Sequence, residues 1–358
     1  MKSKSILAIL AAALVWLAYC YIPISSENDY DASQQASFGS IKCTVAKFML
    51  GDVDTTKQIS PLFENLGNLH FKITTNKDRA QTFFDQGLRL TYAFNHAEAH
   101  RSFLEASRLD PSAPMTYWGQ AYTLGPNIND PFPDDERKKE SYQALLKAKK
   151  AVANGSKKEK ALIEALTARY SEDLTKDIGE LNQAYMNAMA KVLEEFPEDA
   201  DIQTLYAAAV MNTMPWNYWD NDGNPAPNTL SGKAALEKAM EINPDHPGAH
   251  HYYIHMVELP KPDLAVASAE KLGSLMPAAG HIVHMPSHIF IRVGRYMDAV
   301  EANEKAILAD EDYISQCYSQ GMYPLGYYPH NLHFLWSAST LLGASEKAID
   351  AAKKTAEK

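Results

Sequence analysis

The amino-acid sequence predicts an all-α protein whose helices form successive hairpins. From Asn76 onward, apolar residues recur at three- and four-residue spacing through long alanine-rich stretches, which is the pattern of amphipathic helices. Clusters of Gly and Pro, such as Gly125-Pro126 and Pro260–Pro262, interrupt these stretches and predict helix ends. The sequence has neither an alternation of strands and helices nor a glycine-rich phosphate-binding motif, which argues against a nucleotide-binding α/β fold.

The first 75 residues differ in composition and divide into two segments. Met1–Ser5 carries two lysines, and residues 6–22 form an uncharged run. We therefore expect residues 1–26 to be a signal peptide or a membrane anchor, with a lipoprotein-type end at Cys20 as a third alternative. Residues 27–75 are predicted to be a polar linker and an extended lead-in, because residues 69–74 alternate between apolar and polar side chains. Residues 76–358 form the predicted helical part. We expect it to be exported, in the periplasm or otherwise extracytoplasmic, with the membrane contacted only through residues 6–22.

Composition and charge exclude some classes of partner. The formal net charge is −10, which argues against nucleic acid because phosphate binding needs a basic face. The three cysteines, Cys20, Cys43 and Cys317, are too few for a disulfide scaffold. An exported protein permits a Cys43–Cys317 bridge, although two separate buried thiols are the favoured interpretation.

Internal repeats set the arrangement of the helices. Residues 83–90 (FFDQGLRL) and 99–111 (AHRSFLEASRLDP) place small and aromatic residues in register over a unit of about 34 residues. Residues 294–306 match the turn and second helix of such a unit, and residues 342–349 match another turn. Small residues such as Gly87, Ala99 and Ala106 allow two helices to approach closely.

These positions resemble the tetratricopeptide repeat, TPR. The chain also resembles, more narrowly, a family of exported bacterial TPR proteins through the strings at residues 84–110, 117–127, 214–219 (MPWNYW) and 246–299 (HPGAHHYYIH to HMPSHIFIRVGRYMDA). The resemblance covers roughly residues 60–358. It implies a TPR-like solenoid, a right-handed superhelix in which certain positions of each first helix line a concave groove. It implies little about chemistry.

Histidine is concentrated in one part of the chain. Residues 246–333 contain nine of the 12 histidines, where an even distribution would give about three. Seven of them share a helix face by i,i+3 or i,i+4 spacing, and the TPR register implied by the resemblance places all seven in the groove. They are His251, His255, His281, His284, His288, His330 and His333. The same register places Arg292 in the groove.

Imidazole-rich sets with a nearby carboxylate and no clustered thiolate suit zinc, copper or iron. Seven histidines exceed the needs of one ion, so two ions, or one ion with histidines that move protons or orient substrate, are both open. Glu258 follows His255 by one turn and is a candidate ligand, general base or partner of a ligating histidine. A solvated helix end is the equal alternative for Glu258.

Two functions follow from the pattern. The first is an extracytoplasmic TPR protein whose His-lined groove binds a transition metal or a metal-dependent ligand, for storage, sensing or catalysis. The alternative is an interaction scaffold that binds a peptide or protein partner, with structural histidines. The sequence leaves enzymatic activity open.

Four further features qualify these expectations. Pro286 predicts a kink or a new helix start, and with a new start His281 and His284 need not share a helix face with His288. His246 and His250 fall at turn and packing positions, and the pair His96/His100 falls on a packing face. Residues 216–219 (WNYW) are predicted to plug the core or to cover the groove. Asp220 begins an acidic turn that lacks the Gly and Glu of a calcium loop.

Overall fold

The computed structural model describes residues 56–316 and 323–357, and these residues are helical throughout most of their length. In chain order the helices are α1 (Asp78–Tyr92), α2 (His96–Leu109), α3 (Pro114–Leu124), α4 (Asp135–Ala151), α5 (Lys157–Thr167), α6 (Ile178–Glu195), α7 (Ala200–Thr213), α8 (Thr229–Ile242), α9 (Pro247–Val257), α10 (Val266–Leu275), α11 (Gly280–His284), α12 (Pro286–Arg292), α13 (Tyr296–Gln316), α14 (Tyr328–Leu342) and α15 (Ser345–Ala356). Short 3₁₀ segments occur at Val152–Asn154 and Pro262–Ala265, and a π-helical turn at Tyr323–Tyr327 precedes α14. Two isolated bridges are the only β-type pairing in the described ranges. The prediction of an all-α fold is confirmed there.

Several predictions concern other parts of the chain. The signal or anchor at residues 1–26, the linker up to residue 55, and Cys20, Cys43 and Cys317 lie outside the described residues. Within residues 56–316 and 323–357, no helix combines the length and the apolar character that crossing a lipid bilayer would require.

Consecutive helices pack as hairpins, as the repeats predict. α1 packs on α2, α7 on α8 and α14 on α15. The connections of the first and last of these pairs are short, which makes their helices antiparallel. Gly87 on α1 and Gly119 on α3 both face the ring of Phe103 on α2. A Cβ atom at either glycine would lie only 2.7 Å or 2.4 Å from that ring. Glycine is therefore required at both positions for this spacing of three helices.

The predicted extended lead-in is present, without a partner strand. Leu69, Phe71 and Ile73 are buried, and the residues between them are exposed. Side chains of α1 take the place of a neighbouring strand. Phe71 N–H donates to Asp85 Oδ1 at 3.0 Å, and Gln81 both accepts from Ile73 N–H and donates to the Phe71 carbonyl, each at 2.9 Å. This segment is packed on the helices and is not a free linker.

The C-terminal half brings four short or interrupted helices together. α9 contacts α1 and α12, while α11 contacts α13 and α14. α11 ends at His284 and α12 begins afresh at Pro286, as the proline predicts. All residues of α11 are buried, and Pro286, Ser287, Ile289 and Phe290 of α12 are buried as well.

Candidate metal centre

The structure brings six of the seven predicted histidines into one cluster. Side-chain nitrogen and oxygen atoms that could bind a metal ion form three overlapping groups. Within each group these atoms lie within 4.8 Å of one another. These groups are His251/His255/His281, His284/His288/His330 and His255/Glu258/His288. The side chains come from α9, α11, α12 and α14, and we call the six histidines together with Glu258 the His cluster.

On α9, hydrogen bonds fix the orientation of two imidazoles. His251 Nδ1 lies 2.6 Å from the carbonyl of Tyr92, a carbonyl at the end of α1 that the helix itself does not use. His255 Nδ1 lies 3.1 Å from Glu258 Oε1. Because these oxygens only accept, both Nδ1 atoms carry the proton. The Nε2 atoms of both rings are buried and have no hydrogen-bond partner in the described part of the chain.

A second pair is oriented in the same way. His284 Nδ1 lies 2.7 Å from Asn303 Oδ1, and Asn303 Nδ2 donates to the Ala299 carbonyl, so the amide oxygen of Asn303 faces the histidine. His288 Nδ1 lies 2.7 Å from Glu258 Oε2. Each ring therefore donates its Nδ1 proton and presents Nε2 as the remaining ring nitrogen.

The two free nitrogens of this pair meet. His284 Nε2 and His288 Nε2 are 2.9 Å apart. If both imidazoles are neutral with the proton on Nδ1, two lone pairs point at each other at hydrogen-bond distance. A proton or a metal ion between them removes that repulsion. A histidine whose second nitrogen is held by a carboxylate or amide oxygen is the usual arrangement at a bound metal.

Glu258 joins the two halves of the cluster. Its two carboxylate oxygens accept from His255 and His288, and its side chain is 9% exposed. Burial by itself would raise the pKa of Glu258. The interaction with His288 and the hydrogen bonds from both histidines outweigh burial and hold this pKa below its ordinary value. The alternative of a solvated helix end is therefore wrong.

His281 and His330 complete the cluster without hydrogen bonds of this kind. Neither ring nitrogen of the buried His281 has a hydrogen-bond partner among the described residues. The His281 ring lies 5.0 Å from that of His251, and the His330 ring lies 4.8 Å from that of His284. Both imidazoles are free to turn a nitrogen toward a shared ligand.

The electrostatic environment keeps most of these imidazoles neutral. Burial lowers the pKa of His251, His281 and His284 well below the ordinary value, and neighbouring histidines add to the effect. Burial also lowers the pKa of His255, and it lowers that of His330 to about 3. Neutral imidazole is the form that binds metal ions.

Aromatic rings enclose the cluster. The ring of Phe94 lies 4.5 Å from that of His251 and stacks near His281 at 5.6 Å. Trp216 meets the ring of His255 edge-on at 5.0 Å, and its Nε1–H donates to the Ile128 carbonyl. Phe94 and Trp216 both have positive φ, 57° and 64°, which is an uncommon backbone conformation for large residues.

The expectation of an open, His-lined groove is wrong for most of the cluster. His251 and His284 are fully buried, and His255 and His281 are almost so. Phe94 and Trp216 cover the His251/His255/His281 side, and Phe334 lies 4.5 Å from the His288 ring on the other. The groove of the simple repeat is filled by aromatic side chains.

Two predicted groove residues lie outside the cluster. His333 is exposed and its ring packs 5.3 Å from that of Trp336. On α14 the residues that face the cluster are His330 and Phe334, which are one turn apart. The repeat register predicted that His330 and His333 would share this face, so the helix is rotated from the predicted orientation. Arg292 is likewise exposed, at the end of α12.

Pro286 separates the helices but does not separate the side chains. His284 and His288 lie on either side of the break and still meet through Nε2. The break at Pro286 therefore leaves His284 and His288 in contact. The histidines expected at turn and packing positions are placed there. His246 caps α9 by accepting from Ala249 N–H, and His250 contacts Ser268 and the Pro244 carbonyl.

The predicted aromatic loop serves two purposes. Tyr218 is buried in the core, and Trp219 Nε1–H donates to the Met256 carbonyl on α9. Trp216, about half exposed, covers His255. Asp220 accepts from Asp222 N–H and Asn224 N–H in an exposed turn. The acidic stretch is an ordinary turn, as predicted.

Three contributors were not predicted from the sequence. The Tyr92 carbonyl, Asn303 and Phe94 all contact the cluster directly. A backbone carbonyl carries no sequence signal, and Phe94 depends on a long-range contact between α1 and α9. Asn303 occurs within the repeat match at residues 294–306, where an asparagine among small and apolar residues was the available clue.

No protein-family model matches this chain, and no curated protein matches it. Solved structures with some likeness include a monomeric mutant of IFIT1 with Gppp-AAAA, at 15% identity and a TM-score of 0.33, covering 78% of this chain and 71% of that one. The TPR domain of P58(IPK) has 14% identity and a TM-score of 0.23, covering 78% and 83%. The Cut9 and Hcn1 hetero-tetramer of APC/C has 12% identity and a TM-score of 0.24, covering 77% and 66%. At these TM-scores the fold description rests on the helix pairs of this chain, and the site rests on its geometry.

Proposed function

We propose that this chain is a TPR-like repeat protein that binds a transition metal at the His cluster, with zinc, copper or iron as the candidates. One observation carries the proposal. Four imidazoles donate Nδ1–H to fixed oxygens and turn Nε2 inward, where two of these nitrogens lie 2.9 Å apart. The donors contain nitrogen and oxygen but no sulfur, which suits these three metals.

A purely structural histidine network accounts for the geometry less well. In such a network each buried nitrogen would pair with a donor or an acceptor. The Nε2 atoms of His251 and His255 and both nitrogens of His281 have no such partner in residues 56–316 and 323–357. An unsatisfied buried polar group costs roughly 1–3 kcal/mol. A bound metal ion would satisfy the Nε2 atoms of His251 and His255 and one ring nitrogen of His281, which are three of these four nitrogens.

The proposed site supplies three protein ligands in each histidine group. A three-ligand site leaves a coordination position for water or another molecule, which is the feature of catalytic rather than purely structural zinc sites. Trp216 is the partly exposed side chain over this region, so exchange with solvent would pass beside it. Storage, sensing and catalysis are each consistent with this arrangement.

Metal analysis of the purified protein tests the proposal. The protein is prepared without a histidine tag or a chelator, and bound metal is measured by inductively coupled plasma mass spectrometry after gel filtration. We expect stoichiometric metal in the wild type and its loss in the double variant His255→Ala/His288→Ala, which removes one ligand from each histidine group. His333→Ala is the matched control, since this exposed histidine lies outside the cluster. A metal-free wild type that also fails to bind zinc, copper or iron on addition would refute the proposal.

A second candidate function is an interaction scaffold, the commonest role of TPR-like repeats. The observation that favours it is a set of exposed apolar side chains on consecutive helices: Leu308 on α13, Trp336 and Leu341 on α14, and Ile349 on α15. Trp336→Ser and Ile349→Ser would abolish partner binding if this surface is used, and would leave metal content unchanged. Loss of a partner on changing His284 instead would contradict this use of the surface.

Export is part of the same proposal. The lysines and the uncharged run at residues 2–22 support it. A fusion of residues 1–30 to a reporter that is active only outside the cytoplasm is expected to be active, and a fusion that begins at residue 27 is expected to be inactive. Equal activity of both fusions would contradict export.

A further inference from the structure

The six histidines separate into two triads. One is His251/His255/His281 and the other is His284/His288/His330, and within each the candidate ligand atoms lie within 4.8 Å of one another. Each triad contains two imidazoles spaced four residues apart and a third from a separate stretch of chain. Each triad thus has the ligand number of a complete three-coordinate metal site.

Each triad also has its own set of oxygens that fix the imidazoles. The Tyr92 carbonyl holds His251, and the Asn303 amide oxygen holds His284. Glu258 then holds one member of each triad, with Oε1 on His255 and Oε2 on His288. A single ion would use one triad, and the orienting contacts of the other would have no purpose.

The triads are neighbours. The rings of His255 and His288, one from each triad, are 5.6 Å apart, and those of His281 and His284 are 5.9 Å apart. Building on the metal-binding function proposed above, we propose that the cluster holds two metal ions, one in each triad, bridged by a small anion such as hydroxide from water. The carboxylate of Glu258 orients one histidine ligand of each ion, His255 in one triad and His288 in the other.

The class of bridging ligand follows from charge and size. All six ligands in the triads are neutral imidazoles when they bind, and Glu258 is the one carboxylate in the groups that the described residues form. Two divalent ions in a buried site would therefore keep a large uncompensated positive charge, which is costly away from water. An anion shared by both ions offsets this charge. Phe94, Trp216 and Phe334 pack against the imidazoles and restrict the anion to a small one.

Loading with Cu²⁺ tests the pair directly. Metal-free full-length protein is titrated with Cu²⁺, excess ion is removed, and copper and electron paramagnetic resonance (EPR) spins are counted per chain. We expect two copper ions per chain and magnetic coupling between them, visible as a half-field transition or as fewer spins than copper ions. Zn²⁺ loading is expected to give the same stoichiometry of two.

Single-triad variants sharpen the test. His281→Ala removes one ligand from the first triad, and His330→Ala removes one from the second. Neither substitution removes a hydrogen bond that orients another imidazole of the His cluster. Each variant is expected to bind one Cu²⁺ with an uncoupled spectrum, while His333→Ala keeps two coupled ions. Circular dichroism confirms folding of the variants, and the wild-type measurement stands without them.

The outcomes separate the two proposals. One ion per wild-type chain overturns the paired centre and leaves the proposed function intact. No bound ion overturns both. Two ions that give the full count of uncoupled spins overturn the shared anion. Unchanged binding in both single-triad variants would show that the ions lie elsewhere.

Discussion

Histidines four residues apart occur in two regions of the chain, on α2 and in the His cluster, and the contacts of their side chains differ. His96 and His100 lie on α2, and burial lowers the pKa of His96 to about 3 and that of His100 to about 4. The pairs in the His cluster have the same spacing and comparable burial. On α2, however, His96 contacts Asn127 and His100 contacts Thr123, and neither joins a group of potential ligands among residues 56–316 and 323–357.

The difference shows what spacing alone cannot provide. An i,i+4 pair becomes a candidate ligand set only where a third donor arrives from another element and an oxygen holds the far nitrogen of each ring. The Tyr92 carbonyl, Asn303 and Glu258 provide those oxygens in the cluster. Burial and a lowered pKa are common to both regions and therefore do not distinguish them.

The largest expected effect comes from removing one ligand of each triad. The double variant His255→Ala/His288→Ala should lose stoichiometric metal, because each triad is left with two imidazoles. The matched variant His96→Ala/His100→Ala should retain it. Mass spectrometry measures the metal content of both variants. Equal metal loss in the two variants would contradict the claim that the His cluster, and not the α2 pair, binds the metal.

A smaller effect is expected at the carboxylate that orients two imidazoles. Glu258→Gln replaces one acceptor oxygen by an amide donor, so His255 or His288 loses its partner. Loss of such a contact typically weakens metal affinity about 10- to 100-fold. Competition with a chromogenic chelator measures the affinity. The control is Glu98→Gln, a buried carboxylate beside the α2 pair that bonds Ser60; an equal loss there would contradict the role of Glu258.

Bound metal should also raise the Tm of the protein, provided that the His cluster is intact. Ligand at about 100 times its dissociation constant adds roughly 2.7 kcal/mol to the free energy of unfolding. Thermal denaturation with and without Zn²⁺ should therefore show a higher Tm for the wild type and for His96→Ala/His100→Ala. His255→Ala/His288→Ala should show no rise in Tm, and a rise like that of the wild type would place the stabilising ion outside the cluster.

An effect that does not involve metal is expected at Asp310, which lies beside the cluster. Asp310 on α13 accepts from Tyr323 and Asn331, and burial, opposed in part by these bonds, raises its pKa to about 7. Because the folded state binds the proton more tightly, stability is lost as the pH rises from about 4 to about 7. Asp310→Asn mimics the protonated form, and Asn331 can reverse its amide because its Oδ1 has no hydrogen-bond partner among the described residues.

Thermal denaturation across pH checks this expectation. The Asn variant should match the wild type near pH 4 and have the higher Tm at pH 8, by an increment that stops growing above the pKa of Asp310. Glu311, whose charge also faces Asp310, is unchanged in this comparison. A variant that is less stable than the wild type at every pH would contradict the assignment.

The sequence predicts the fold better than the surroundings of the site. Helical periodicity and small residues such as Gly87 determine which helices pair, since these are local or near-neighbour properties. The histidines themselves were also identifiable, because spacing along one helix fixes a shared face. The prediction for His333 is wrong because α14 turns His330 and Phe334 toward the cluster and leaves His333 against Trp336, an orientation that spacing within one helix does not fix.

The enclosure of the cluster could not be predicted in the same way. It depends on Phe94 and Trp216, two residues with positive φ that are distant in sequence from the histidines they cover. A repeat frame describes a groove between idealised helices. Phe94 and Trp216 lie on loops, whose conformations are set by tertiary contacts, whereas Phe334 lies on α14.

X-ray absorption spectroscopy of the zinc-loaded protein tests the central claim most directly. The account predicts a first shell of nitrogen and oxygen ligands at about 2.0–2.1 Å, with imidazole scattering from three histidines per zinc and no sulfur. In His281→Ala and in His330→Ala the zinc content should fall to one ion per chain, and the remaining zinc should keep its three-imidazole shell. A first shell of oxygen alone, or one containing sulfur, would contradict metal binding by the His cluster.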